Sequence, residues 1–524
     1  MTGIQMTLRL LRHFAKAGSI FLEDFRPLKL TCLQSVLCLL FALFMISTGS
    51  SRAEDRSPNI VFIMCDDLGY SDVGCFGQTK IRTPNIDRLA AEGMKFTQHY
   101  SGNAVCATSR CVLMTGKHPG HAQIRDNREI KPEGQFPLLK DTATIARVLK
   151  SNGYVTGAFG KWGLGGPGTT GEPLQQGFDR FFGYNCQRVA HNYYPTHLWD
   201  DDKKIELKNP NFSAHQKFPA DADMKNPANY EKYSGKDYAP DLIMEQARQF
   251  IKLNKDKRFF AYIPTTVPHL ALQVPPDSLA EYLGKFPETP YDGSRGYLPH
   301  FAPHAAYAAM ITRMDMEVGR ILELLRELKL EDNTLVVFTS DNGPLYNQLG
   351  GTDTDFFKSS ADLRGLKGSL YEGGFRVPMI ARFPKRIAAG TTTERVTGFE
   401  DWMPTILDML NLPTAIPNDV DGVSFAKTLL GQSQPEREFL YREFPGYGGQ
   451  QLLHAGRYIA IRQKLMATKA NPNPKIKTEL YDLKSDPSQK NDLASSSPEI
   501  IGKLEKVMKE QHTPSAEFPM KVID

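Results

Sequence analysis

The 524-residue chain is poor in cysteine, in long apolar runs and in net charge. Seven cysteines, two of them in the first 53 residues, and no pair of Cys-x-x-Cys motifs leave no zinc-ribbon pattern, and a chain this long folds without disulfides. One unbroken apolar run stands out, Val36–Ile46, and it is shorter than the ~20 residues of a membrane span. The formal charge of +4 lies wholly in residues 1–53, where six basic groups face two acidic ones; residues 54–524 balance to zero. A nucleic-acid-binding reading based on charge therefore loses its support. Gly163-Leu164-Gly165-Gly166-Pro167-Gly168 lacks the Gly-Lys-Ser/Thr ending of a phosphate loop and reads as a mobile loop. Ordinary composition, 41% hydrophobic and 23% charged, excludes collagen-like and wholly disordered chains.

What is present begins with a leader. A basic segment, the apolar run and a small-residue ending at Ser51-Arg52-Ala53 make the pattern of a secretory signal, with an uncleaved anchor as the alternative. The expected organisation is a leader over 1–53, a catalytic domain over 54–430 and a smaller C-terminal subdomain over 431–524. From Ser57, β-branched runs alternate with helical stretches. Strands are expected at Asn59–Met64, Tyr154–Phe159, Phe259–Ile263 and Leu335–Phe338, and helices at Ile86–Glu92, Thr142–Ser151 and Ala305–Leu328. That alternation predicts an α/β fold with a mostly parallel sheet flanked by helices. Strands at Tyr458–Ile461 and Glu479–Leu483, joined by a hairpin turn, and a closing helix predict an α+β unit with a short antiparallel sheet. The polar stretch Asp200–Tyr238 reads as a surface insertion, and Pro275–Pro303 as a long loop.

Polar residues follow the expected strands. Asp66 and Asp67 follow the first, Asp341 and Asn342 another, Lys161 a third, and His269 a fourth after a Pro-rich bend. Ligands of open parallel sheets bind at the carboxyl ends of strands. Converging carboxylates repel unless a cation intervenes, and an all-oxygen set of Asp66, Asp67, Asp341 and Asn342 suits Ca²⁺ or Mg²⁺. The competing reading is that Asp-Asp and Asp-Asn-Gly are turn residues. Cys106 opens an expected helix, where dipole and free N–H groups favour an anion, and Arg110 lies one turn on along the same face.

The segment Cys106-Ala107-Thr108-Ser109-Arg110, continuing to Thr115-Gly116, resembles the active-site motif of the type I sulfatase family. Asp66-Asp67-Leu68-Gly69-Tyr70, Gly160-Lys161-Trp162, Asp341-Asn342-Gly343, the Arg364–Lys367 segment and Glu479-Leu480-Tyr481-Asp482-Leu483 resemble further family segments, in order along residues 57–495. Two positions depart from the pattern: Thr108 stands where the family has Pro or Ala, and Gly163 where many members have His.

The resemblance implies an alkaline-phosphatase-like fold and sulfate ester hydrolysis. It implies that Cys106 is oxidised to formylglycine by a separate formylglycine-generating enzyme, and that its hydrate attacks sulfur. The implied metal ligands are Asp66, Asp67, the modified Cys106, Asp341 and Asn342, holding calcium, with magnesium the alternative. Arg110, Lys161, His269 and Lys367 are the expected catalytic set, His269 as general acid. Lys117, His118 and His191 are expected to orient the nucleophile or bind substrate. The alternative for His118 is a surface site, and for His191 and His197 a hydrogen-bonded loop histidine; His121 reads as surface. Expected partners are a sulfated small molecule or polysaccharide and the maturation enzyme, with no nucleic acid and no membrane after leader cleavage; the expected location is periplasmic or secreted. Two other functions remain: a phosphomonoester or phosphonate hydrolase on the same fold, and a catalytically lapsed sulfatase-like binding protein.

Overall fold

The computed structural model describes residues 57–469 and 472–524; the leader expected over 1–53 lies outside them. The chain opens with β1 (Asn59–Asp66), α1 (Pro84–Ala91), β2 (Met94–Tyr100), α2 (Cys106–Thr115) and α3 (Ile145–Ser151). Next come β3 (Val155–Lys161), β4 (Arg180–Tyr184), β5 (His197–Asp200), β6 (Lys203–Glu206), α4 (Ala239–Leu253) and β7 (Phe259–Pro268). After α5 (Pro303–Glu327) follow β8 (Thr334–Ser340), β9 (Arg376–Arg382), β10 (Thr391–Thr393), β11 (Thr397–Gly398) and α6 (Trp402–Met409). The chain closes with β12 (Leu440–Phe444), β13 (Gln450–Ala455), β14 (Tyr458–Gln463), β15 (Thr478–Asp482) and α7 (Pro498–Glu510).

Eleven strands form one sheet in the order β10-β2-β9-β8-β1-β7-β3-β4-β5-β6, with β11 also on β2. The centre, β8-β1-β7-β3-β4, is parallel; β9 runs antiparallel to both neighbours. Every residue of β1 is buried because both faces are covered. Val61, Ile63 and Cys65 pack with residues of α4 and α5, whereas Ile60, Phe62 and Met64 pack with α2, α3 and α6. Strand alternation thus splits one apolar run between two helical layers. Among the described residues no helix is long and apolar enough to cross a membrane.

The second sheet is antiparallel, β12-β13-β14-β15, and α7 packs on β13. The expected hairpin is the β14–β15 pair. Three expectations change. The strand expected to stop at Ile263 runs on through Pro264 to Pro268, so His269 follows it directly. Lys161 is the last residue of its strand, not beyond it. The 200–238 stretch is not merely superficial: β6 pairs with β5, and Phe218, Tyr230 and Tyr233 pack around Leu298 in a small core of their own.

Candidate active site

The ends of two neighbouring strands create the site. β1 and β8 pair in register with Cys65 opposite Ser340, and the Asp341 N–H donates to the Cys65 carbonyl at 3.0 Å. The carboxylates that follow each strand are therefore adjacent. Asp67 adopts φ of 65°, a left-handed conformation Asp tolerates better than most residues, and turns the chain so that its N–H donates to Asp341 Oδ1 at 3.2 Å. The amino end of α2 meets this corner. Cys106 Sγ lies 3.5 Å from Asp66 Oδ1 and 4.0 Å from Asp67 Oδ1. Gly116, at φ of 68°, ends α2 in the left-handed cap that favours glycine.

Three cations close in. Lys161 Nζ donates to Asp66 Oδ2 at 2.6 Å. Lys367 Nζ lies 2.7 Å from Asp67 Oδ1 and 3.4 Å from Cys106 Sγ. The Arg110 guanidinium donates twice to Asp341 Oδ2, at 3.1 and 2.8 Å, and also to the Lys161 carbonyl. Arg110 is fully buried behind the carboxylates and does not line the cleft. The expected placement of its charge facing an anion is corrected: its donors hold Asp341.

Burial would raise the pKa of Asp66, but Lys161, and then His269, Arg110 and Lys367, hold it well below the usual carboxylate range. Asp341 goes the other way, to about 7, through burial and the charge of Asp66 against the pull of Arg110. Burial pushes the Cys106 thiol to about 12, despite Lys161 and Lys367. An unmodified Cys106 is therefore a protonated thiol at neutral pH and a poor nucleophile.

His269 sits across from the lysines, with Nε2 3.4 Å from Asp67 Oδ2. Its Nδ1–H donates to the Leu270 carbonyl at 2.7 Å, which leaves Nε2 as the reactive nitrogen. Burial first, opposed by Asp67, lowers its pKa to about 4, so the imidazole is neutral before an anion enters. His191 stacks on it, centroids 4.8 Å apart, and bonds through Nδ1 to His215 Nε2 at 2.9 Å. Above Cys106, Lys367 and His269 opens a cleft of about 640 Å³. Gln187, His215, Tyr297, Tyr346 and Tyr447 also line it, and sequence reasoning named none of them. His215 comes from the 200–238 insertion, Tyr297 from the 275–303 loop and Tyr447 from the turn between β12 and β13. No local motif in these segments marks the individual residue.

Other expectations are not met. Lys117 and His118 sit at the far end of α2, ten residues at ~1.5 Å rise from Cys106. Lys117 pairs with Asp419. His118 Nδ1 accepts the Gly120 N–H at 3.2 Å, and its Nε2 lies 3.1 Å from Gln511 Oε1. Neither lines the cleft, so neither touches substrate there. His118, His121 and Asp421 cluster like metal ligands, but His118 Nδ1 faces a donor. A ligating histidine donates its second N–H instead, so the cluster is a hydrogen-bonded network. His197 is held by Glu133 at 2.9 Å. The glycine-rich run is not a free loop: Gly163 to Gly166 are buried, and a Cβ on Gly165 would lie 2.3 Å from the Gly171 backbone. At Gly163, φ is 79° and a Cβ would stand 3.0 Å from Gln187 Nε2. Gln187 thus fills the space an imidazole would need. The Thr108 hydroxyl is buried without a hydrogen-bond partner.

The chemistry of the donors tests the fit of a metal. Asp66, Asp67, Cys106 and Asp341 each present one ligand atom, all within 4.8 Å of one another. Asn342 Oδ1 is buried with no partner beside them, while its Nδ2 donates to Asp67 Oδ1 at 2.6 Å. Clustered carboxylates and an orphaned amide oxygen fit a hard divalent cation. A larger groove of about 930 Å³ near the β13–β14 turn holds no such group, and Arg376, Arg395, Arg437 and Arg457 in it are all ion-paired.

Comparison with known proteins matches the Sulfatase family to residues 58–412, and the N-sulphoglucosamine sulphohydrolase C-terminal family to residues 366–514. Human arylsulfatase A is 30% identical over 493 residues, covering 88% of this chain and 89% of its own. The N-acetylgalactosamine-6-O-sulfatase of Bacteroides thetaiotaomicron is 30% identical over 509 residues, covering 87% and 94%. Among solved structures, that of Ps i-CgsB superposes with a TM-score of 0.69 at 24% identity, covering 87% of this chain and 92% of that one.

Proposed function

This chain belongs to the sulfatase family, with its alkaline-phosphatase-like fold, and is a sulfuric ester hydrolase; we propose that its substrates are sulfated carbohydrates and that cleavage takes place above Cys106. The observation that carries this reading is the convergence of Asp66, Asp67, Asp341 and Cys106 within 4.8 Å, at the foot of an open cleft that Lys367 and His269 line. A relative acting on N-acetylgalactosamine 6-O-sulfate supports a sugar substrate.

Asp66, Asp67, Asp341 and Asn342 would hold calcium, with magnesium the alternative, and the ion supplies Lewis-acid polarisation of the sulfate. Formylglycine at Cys106, installed by a separate maturation enzyme, would add water to its aldehyde, and the hydrate would supply a hydroxyl nucleophile in place of the protonated thiol. Lys367, on the cleft wall, brings positive charge to the sulfate oxygens, and Lys161, buried against Asp66, holds that carboxylate. The Leu270 carbonyl orients His269 so that Nε2 faces the cleft, and an entering anion raises its proton affinity, enabling it to protonate the leaving oxygen. His191 is half-buried, desolvation and then His269 hold its pKa well below the usual imidazole range, and its stacked ring holds the plane of His269. Arg110 fixes Asp341. Residues 54–430 form the catalytic part and 431–524 the smaller subdomain, and the leader directs export to the periplasm or beyond.

The test is sulfate release from 4-nitrophenyl sulfate and a panel of sulfated monosaccharides, with mass analysis of the Cys106 peptide. The expected result is turnover by protein whose Cys106 thiol has become an aldehyde. Turnover of phosphate or phosphonate esters alone, or activity with an intact thiol, sinks the reading.

A further inference from the structure

The cleft does not end at the catalytic corner. A second compartment of about 470 Å³ adjoins it, and Glu129, Arg188 and His215 line both. These three form a ridge between the two spaces. Arg188 is loosely held, with Nη1 3.6 Å from Glu129 Oε2 and its side chain 65% exposed. Beyond the ridge the wall carries Lys131, Asn192 and Asn211 beside the apolar surfaces of Val189, Pro195 and Phe212. Lys131 is exposed, and among the described residues it has no ion-pair partner. One acidic group on that wall, Glu129, stands against two cations, Lys131 and Arg188, while Glu133 bonds His197 at 2.9 Å and the Trp199 indole N–H at 2.8 Å. The His197–Glu133–Trp199 network also stiffens the floor. The thiol on that wall, Cys186, is buried, and no carboxylate cluster lies there, so the space suits binding without chemistry.

Mixed apolar and polar walls, a volume within the ~300–1,000 Å³ range of small-ligand sites and a net positive rim are the features of a sugar subsite that prefers an anion. Resting on the reading of the first compartment as a sulfated-sugar site, we propose that the second compartment binds the adjoining anionic sugar of an oligosaccharide, with Arg188 and Lys131 pairing its carboxylate or second sulfate. The enzyme is then selective for chains over single sulfated sugars.

The experiment is titration calorimetry on the folded Cys106→Ala protein with N-acetylgalactosamine 6-sulfate and with a chondroitin 6-sulfate tetrasaccharide, which needs no turnover. The tetrasaccharide is expected to bind about tenfold or more tightly than the monosaccharide. Lys131→Glu, which changes an exposed side chain, and Asn211→Trp, which fills the compartment, are each expected to reduce that ratio towards one. Equal affinities of the two ligands, or a ratio unchanged in both variants, overturns the proposal. Absence of sulfate release from every ester by the wild-type protein would instead strike the reading of the first compartment, and the calorimetric ratio would still decide the second.

Discussion

Lys367 Nζ stands 3.4 Å from Cys106 Sγ while bonding Asp67 at 2.7 Å, so one ammonium touches both the proposed nucleophile position and a carboxylate of the proposed metal site. The two residues lie 261 positions apart. Their contact makes Lys367 a charge shared between the resting site and an incoming sulfate. Lys367→Ala is expected to lower kcat on 4-nitrophenyl sulfate by roughly 10²–10³, the scale for losing one preorganised donor. The same variant leaves Asp67 without its ammonium. Metal-free protein should lose ~3–5 kcal/mol of stability in urea titrations. Cys106→Ala should abolish turnover with the melting temperature nearly unchanged.

Calcium should restore much of that lost stability, because the cation takes over the neutralisation of Asp66, Asp67 and Asp341. Chelation of the wild-type protein is expected to remove activity and lower Tm, and re-addition of calcium or magnesium to reverse both. Scanning calorimetry with and without chelator checks this. Unchanged activity and Tm after dialysis against chelator would contradict the metal assignment.

Glu400 and Arg442 form a buried two-bond ion pair, both contacts 2.9 Å, between the residues just before α6 and strand β12. Burial works against the Glu400 charge, but Arg442 and Arg437 hold its pKa at about 2. A depressed carboxylate stabilises the fold above its unfolded pKa, and that stability is lost as pH falls through the folded value. The stability gap between wild type and Glu400→Gln should therefore be full at neutral pH and shrink between about pH 4.5 and 2. Arg442→Ala should cost ~3–5 kcal/mol at pH 7 because a buried carboxylate loses its main partner. Chemical denaturation at a series of pH values measures both.

Restoring an imidazole at residue 163 should not help by itself. Gly163→His places a side chain at φ of 79° and 3.0 Å from Gln187 Nε2, which must move. The expected cost is ~1–3 kcal/mol with no gain in kcat. Pairing it with Gln187→Gly should recover part of the stability, and recovery of kcat in the pair alone would show that Gln187 occupies the imidazole's place.

Thr108 has a buried hydroxyl with no partner. Thr108→Ala removes that unsatisfied group while leaving a small void, two effects of ~1 kcal/mol that oppose each other. Stability should stay within about 1 kcal/mol of wild type by urea titration. A larger loss would mean that the hydroxyl has a partner the static structure lacks.

Local pattern in the sequence was enough to place β1, β3, β8 and α5, because burial on both faces of a strand or along a helix stripe leaves a periodic trace. It was also enough to mark Asp66, Asp67, Cys106, Lys161, His269, Asp341 and Lys367, because each sits at or beside the end of such an element or in a family motif. Direction of side chains left no trace. The tertiary structure alone turned Arg110 towards Asp341 and paired Lys117 with Asp419. It also set Gln187 in the space beside Gly163. Likewise, His215, Tyr297 and Tyr447 come from three polar or Pro-rich segments with no shared pattern, and only the packing of those segments brings them over Cys106. The physical reason is range. Strand and helix periodicity is written by neighbours a few residues apart, whereas a cleft wall is decided by contacts between segments tens to hundreds of residues apart.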